Sequence, residues 1–228
     1  MNNKLIVTIT AIGLLLIGCK KEERKTAAPA QSTAVEVTPK SLETDADKDL
    51  KEIQRLALIM KKKATASRTQ TAFTQWAMAI IRYKQVYGFY PNIGATYESA
   101  KDSVHLLDNP ATNLKFVKAL SGKLPTGIPL SQEDRKKFNR NLEEFCSFER
   151  SDFADLANLA EGSMLVDGFG NAKIRVILDT DNNTVIRNIR VNDLPEEISA
   201  AASDGGIKAR IIIYSKGENG APDVVVIQ

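Results

Sequence analysis

Few side chains in this 228-residue chain are of types that do chemistry, and their spacing favours structure over reaction. It has two cysteines and one histidine. Cys19 follows directly on the apolar run LIVTITAIGLLLIG at residues 5–18. Cys146 lies in Phe145-Cys146-Ser147-Phe148 and reads as a buried, inert thiol, because a catalytic thiol needs a base beside it. His105 sits in Val-His-Leu-Leu with no motif around it and reads as structural, and one histidine cannot build a Cys/His metal cluster. Asp179, Asp181 and Asn183 alternate like the start of an EF-hand loop, but the glycine at its sixth place and the glutamate at its twelfth are missing. A plain turn, with Asx side chains bonding their own backbone, is the other reading. The adjacent acids Glu143-Glu144 and Glu196-Glu197 are of the solvated kind. Neither a phosphate-binding glycine loop nor a Gly-x-Ser-x-Gly elbow occurs. The sequence predicts no enzyme.

The N-terminal residues suggest an address. Lys4 supplies a positive charge, and the apolar run behind it falls short of the about 20 residues that a bilayer span needs. A signal peptide over residues 1–18 is the better reading. Leu16-Ile17-Gly18-Cys19 resembles the bacterial lipobox. That resemblance implies lipidation of Cys19, with a diacylglycerol on the thiol and a further acyl chain on the freed amine. Two or three chains, at about 0.8 kcal/mol per buried methylene, anchor a protein stably. Lys20 is not the aspartate that retains such proteins on the inner membrane, so an outer-membrane anchor is expected, with the domain facing the periplasm or the surface. Residues 19–43, charged and then rich in Ala, Pro, Ser and Thr, read as a flexible tether.

The folded part is expected over residues 44–228, and the 43% hydrophobic content of the whole chain suffices for a core. A net charge of +3, without a basic stripe interleaved with aromatics, argues against nucleic acid as a partner. Residues 48–91 read as one long helix that Ser41 or Thr44 caps and that Gly88 and Pro91 end. Phe73, Trp76, Ala77, Ile80, Tyr83 and Tyr87 fall on one face and predict packing against a domain. Residues 61–70 are polar nearly all round and predict a solvated middle. Ile53, Leu56, Ala57 and Met60 then offer a projecting face to a partner helix.

Downstream, residues 110–121 read as a helix with Asn109 as cap, Pro110 as first residue, Gly122 as stop, and Leu114, Val117 and Leu120 inward. Ser131 opens a short helix, residues 142–148 lean to strand, and residues 152–160 to a helical turn or two. Strands are predicted at 173–178, 184–191, 207–214 and 224–227, with Val185, Ile189 and Val191 inward on the second. They make a small antiparallel sheet whose one apolar face the Phe73 to Tyr87 stripe covers. The fold class is α+β: a long N-terminal helix on a small antiparallel sheet.

Three stretches carry a family resemblance. Residues 79–91, ending Tyr87-Gly88-Phe89-Tyr90-Pro91, resemble a helix exit of the form Tyr, then Gly-x-Tyr-Pro. Asp167-Gly168-Phe169-Gly170-Asn171 is similar to an Asp-Pro-Trp-Gly-Asn corner. Residues 213–220 are similar to a Tyr-Ser-x-Gly-x-(Asp/Asn)-Gly loop. In order and spacing, residues 50–228 resemble the major pseudopilins of type II secretion and related type IV pilin-like proteins. The resemblance implies a pilin-like fold, a corner held by Asp167, Gly170 and Asn171, and calcium in the loop before the last strand, with Glu218, Asn219 and Asp223 as oxygen ligands. It also implies pilin or secretion-system proteins as partners. One departure stands out: the family's processing site within a long hydrophobic helix is missing, and a lipobox and tether stand in its place. Two functions are open: a lipid-anchored accessory component of a secretion or pilus-like machine, or a lipid-tethered binding module that kept the fold.

Overall fold

The fold is built on α1 (Asp45–Tyr87), 43 residues and therefore roughly 65 Å long. In the computed structural model the described residues are 45–94, 97–98, 102–155, 157, 159–187, 189, 194–203, 205–217 and 221–228. The predicted signal peptide, the tether and the caps Ser41 and Thr44 lie outside them. The helix stops where the sequence says it should: Gly88 takes φ +83°, a left-handed angle that glycine alone adopts without cost, and its N–H donates to the Lys84 carbonyl at 2.8 Å.

After α1 come β1 (Tyr97–Glu98), β2 (Asp102–Leu106), α2 (Pro110–Ser121), α3 (Gln132–Phe138), a 3-10 turn (Arg150–Asp152), β3 (Ile174–Asp179), α4 (Glu196–Ser203), β4 (Ile211–Ser215) and β5 (Val224–Ile227). The sheet is antiparallel throughout, in the order β1-β2-β3-β4-β5. Val104 stands opposite Ile177, Val176 opposite Ile213, and Ile213 opposite Val226. The protein is thus α+β, with a long N-terminal helix and an antiparallel sheet of four full strands and a two-residue edge.

The predicted stripe of α1 is the packing face. Phe73, Trp76, Ala77, Ile80 and Tyr83 are buried in one cluster with Ile174, Val176, Leu178, Ile213 and Val226 of the sheet. Burying each large side chain contributes about 1.5–3 kcal/mol. Trp76 is ringed by Phe73, Phe116 and Phe148, with centroids 5.2, 5.6 and 5.8 Å away. Helix α2 forms as its local signals require: the Asn109 side chain accepts from the Ala111 and Thr112 N–H groups, and Gly122 closes it at φ +68°. Its inward set is shifted, however, with Phe116, Val117 and Leu120 fully buried and Leu114 only half-buried.

Four expectations need correction. The strand expected at 184–191 is not formed over its described residues, which make a single bridge, Ile186 to Ile207. Asn182 and Thr184 take φ of +62° and +64°, and the buried Asp179 carboxylate accepts the Asn183 and Thr184 N–H groups, so the turn runs on where a strand was foreseen. Val185 and Ile189 are only half-buried, while Ile186 points in; Val191 lies outside the described residues. The place beside β3 is taken by β2, whose polar Asp102, Ser103 and His105 give no apolar alternation. Second, the sheet has two covered faces: Ile177, Ile212 and Tyr214 are buried on the side away from α1, under Ile186, Ile198 and Ile207. Third, residues 142–148 form no strand; the Phe145 and Cys146 N–H groups both donate to the Leu120 carbonyl, which fastens this loop to the end of α2. Fourth, helix over 152–160 shrinks to the 3-10 turn among the described residues.

Candidate functional site

Residues 167–171 form a corner where α1 meets the end of the sheet. Asp167, buried at 7% exposure, organises it. Its Oδ1 accepts the Phe169 N–H at 2.8 Å and the Asn171 N–H at 2.9 Å. Its Oδ2 accepts the Ser215 hydroxyl at 2.7 Å, which joins the corner to β4. Gly170 turns the chain at φ +83°, and its N–H donates to the Asp167 carbonyl. Asn171 spans the other side: its Nδ2 donates to the Lys216 carbonyl at 2.8 Å, and its Oδ1 accepts the Lys173 N–H at 2.8 Å. The structure therefore brings Asp167, Gly170 and Asn171 together as a backbone clamp.

The same corner reaches α1 through a residue that the sequence reading missed. Thr69 is buried at 2% exposure within the stretch expected to be solvated. Its hydroxyl donates to the Thr65 carbonyl and accepts the Gly168 N–H, each at 3.0 Å. A Cβ at position 168 would lie 2.7 Å from that hydroxyl, so only glycine permits this approach. The legible signal was the Thr65/Thr69 pair at helical spacing; its partner, 99 residues away, was not legible.

Clefts border this junction among the described residues. One, about 810 Å³, runs between α1 and the edge of β5 and is lined by Ile59, Lys62, Ala66, Gln70, Pro222 and Val225 among others. Another, about 370 Å³, lies beside the corner under Arg68, Thr69, Trp76 and Asp152. A third, about 250 Å³, lies against Asp167, Gly170 and Asn171 themselves. Burial, chiefly, and Glu149 push the Asp152 carboxyl up, against the pull of the Glu149 N–H and Arg68.

The remaining candidates are dispersed. Cys19, Glu218 and Asn219 lie outside the described residues; Asp223 is exposed, and its Oδ1 accepts the Gly217 N–H at 2.7 Å. Asp179 and Asp181 spend their oxygens on the turn that follows them. Among the described residues no group of three or more His, Cys, Asp or Glu side chains is gathered to hold a metal. His105 is buried with Nδ1 3.0 Å from the Gly94 carbonyl and Nε2 2.9 Å from the Ser103 hydroxyl, so a neutral ring donates to the first and accepts from the second. Glu144 pairs with Lys123 at 2.6 Å, and that hydrogen bond holds its carboxyl below the usual range. Ile53, Leu56, Ala57 and Met60 are all exposed on the first half of α1, Ile53 at 63% and Met60 at 71%.

These observations define an α+β protein whose leading helix is packed at one end and bare at the other. No helix among the described residues is long and apolar enough to cross a membrane. No protein-family model, curated protein or solved structure matches the chain.

Proposed function

We propose that the protein is a lipid-anchored, pseudopilin-like structural or accessory component of a type II secretion or type IV pilus-like envelope system, without catalysis. Cys19 carries the lipid, residues 19–43 form the tether, and the domain presents its bare helix to partner proteins. The observation that carries this reading is the division of α1. Phe73 to Tyr83 are sealed onto the sheet, while Leu50, Ile53, Leu56 and Met60 are 50% or more exposed. A solitary apolar helix face in water is a liability that a partner helix removes. The corner at Asp167 supports the pilin-like comparison, because it joins the helix to the sheet through the residues on which the resemblance rests. The test is capture from detergent-solubilised envelopes with the full chain as bait. Recovery of pilin-like or secretion-system components is expected, with loss on Ile53→Asp; recovery of none refutes the reading. For the anchor, Cys19→Ser is expected to release the chain from the membrane fraction, and retention refutes acylation.

The cleft between α1 and β5 favours a second reading, a lipid-tethered binding module that kept this fold. Its size suits a small ligand or a short peptide. Under that reading Ala66→Trp, at the cleft wall, abolishes ligand binding and leaves capture through the bare helix intact.

A further inference from the structure

The bare half of α1 has an internal pattern that the domain does not use. Leu50, Ile53, Ala57, Met60 and Ala64 recur at alternating steps of three and four, the seam of a coiled coil, with Leu50 and Ala57 at one seam position and Ile53 and Met60 at the other. This seam is not the continuation of the packed stripe. From Ala57 to Phe73 is a rotation of roughly 160° about the helix, so the two apolar lines lie on nearly opposite sides. Farther along, Ala64, Thr71 and Met78 continue the seam line and are exposed too. Ile59 and Ala66 continue the packed stripe into the cleft beside β5, and Ser67 borders that cleft between the two lines.

The charges beside the seam decide what covers it. Acids flank its start, at Asp47 and Asp49, and lysines its end, at Lys61 and Lys63. A second copy laid antiparallel satisfies both the seam and the charges in one register. Leu50 meets Met60 of the second copy and Ile53 meets its Ala57, twice over by the two-fold symmetry. On one flank Asp49 faces Lys63 and Leu56 faces its own equivalent; on the other Asp47 faces Lys61 and Gln54 faces its own equivalent. In a parallel pair Asp49 would face Gln54 and Leu56 would face Lys61, with acids beside acids at one end and lysines beside lysines at the other. Small residues at Ala57 and Ala64 let two helices approach within the usual 8–10 Å. Resting on the partner-helix reading above, we infer that the partner is a second copy of this chain, bound through residues 47–64 of α1 as an antiparallel helix pair.

Single-cysteine cross-linking of the full chain in envelopes tests this, with the unsubstituted chain as background. Leu56→Cys, at the two-fold axis, links to itself under mild oxidation. Leu50→Cys alone and Met60→Cys alone do not, but co-expressed they yield a mixed dimer. Lys63→Glu weakens the Leu56→Cys link about five- to tenfold at low salt, since two attractions become repulsions, and adding Asp49→Lys restores it. All these side chains lie outside the core, and an unchanged melting temperature confirms folding. Self-linking of Leu50→Cys as strong as that of Leu56→Cys would show parallel packing and overturn the inference. No link above background at position 56 or in the 50/60 mixture would overturn it as well. Capture of secretion components in either case leaves the broader reading standing, since these links report only copies of this chain.

Discussion

Replacing Asp167 with alanine removes the carboxylate that accepts from Phe169, Asn171 and the Ser215 hydroxyl, at 2.8, 2.9 and 2.7 Å. Each hydrogen bond to a charged group contributes about 1.5–3 kcal/mol. The three share one acceptor, and the loop N–H groups reach water once it relaxes, so the values do not sum. Ser215, at 1% exposure, has no such recourse. A loss of roughly 3–4 kcal/mol is expected for Asp167→Ala, within the range of a broken buried network. Asp167→Asn keeps one oxygen for the two N–H groups and offers an amide N–H to the Ser215 oxygen, so its cost is about 1 kcal/mol. Urea unfolding followed by the fluorescence of Trp76, the chain's one tryptophan, reads both. With a slope of about 2 kcal/mol per molar, the alanine variant's midpoint falls by roughly 1.5–2 M and the asparagine variant's by about 0.5 M. Equal midpoints for the two variants, or an alanine variant within about 1 kcal/mol of the parent, would show that the corner is not held by this side chain.

Two further outcomes follow from groups inside the fold. Burial first, then Asp179 and Asp181, pushes the Asp102 carboxyl above its ordinary 3.8, against the pull of the Arg187 N–H and guanidinium. The folded state thus holds this proton more tightly than the unfolded chain does. Its contribution to stability is whole below pH 3.8 and is lost as pH rises through the raised folded value. Asp102→Asn, which keeps an oxygen for the Arg187 N–H, is therefore expected to melt higher than the parent at pH 7, with the gap closing toward pH 3.5; a variant that melts lower at pH 7 contradicts this. Burial, with Asp152 and Glu144 nearby, pushes the Cys146 thiol up to about 12. At pH 8 only about one thiol in ten thousand is then ionised. In the Cys19→Ser chain Cys146 should resist Ellman's reagent until the protein is unfolded, and rapid labelling of the folded protein would show that the thiol is not buried.

Elements whose ends are written in local chemistry were legible. The Asn109-Pro110 start and Gly122 stop of α2, the Gly88 exit of α1 and the strand β5 fall where their residues place them. Strand β2 was not legible because its pattern is not apolar. Asp102, Ser103 and His105 are all buried; Ser103 pairs with His105 within the strand, but the other partners come from elsewhere, the Arg187 N–H for Asp102 and the Gly94 carbonyl for His105. Burial of such side chains is tolerated only when distant groups satisfy them, and no local window contains those groups. Residues 142–148 misled for the opposite reason. Phe145 and Phe148 look like strand residues, but they serve the aromatic cluster of Tyr83, Tyr87 and Trp76 from a loop. The site divided the same way: the clamp at Asp167 was visible in one pentapeptide, whereas its hold on Thr69 depends on two segments meeting.

The two apolar lines on α1 carry the functional argument further than either does alone. Had Ile53 and Met60 continued the line of Phe73 and Ile80, the bare half would be a stretch of packing surface that happened to overhang its domain. They do not: the packed line passes on through Ala66 and Ile59, which face the cleft, while the exposed line runs along the opposite side. The helix overhangs its domain for about 12 residues before Ile59 enters the cleft, and so short a helix is marginal in water by itself, so its apolar residues would ordinarily be trimmed to charge on any side the fold leaves open. Here that side holds Leu50, Ile53, Leu56 and Met60 between acids at one end and lysines at the other. Hydrophobic burial supplies the attraction, and the charges select direction and register, as flanking charges do in helix pairs generally. The sealed half of the helix thus fixes how the bare half is presented, and the domain serves as a rigid mount for an association surface that is itself only five turns long.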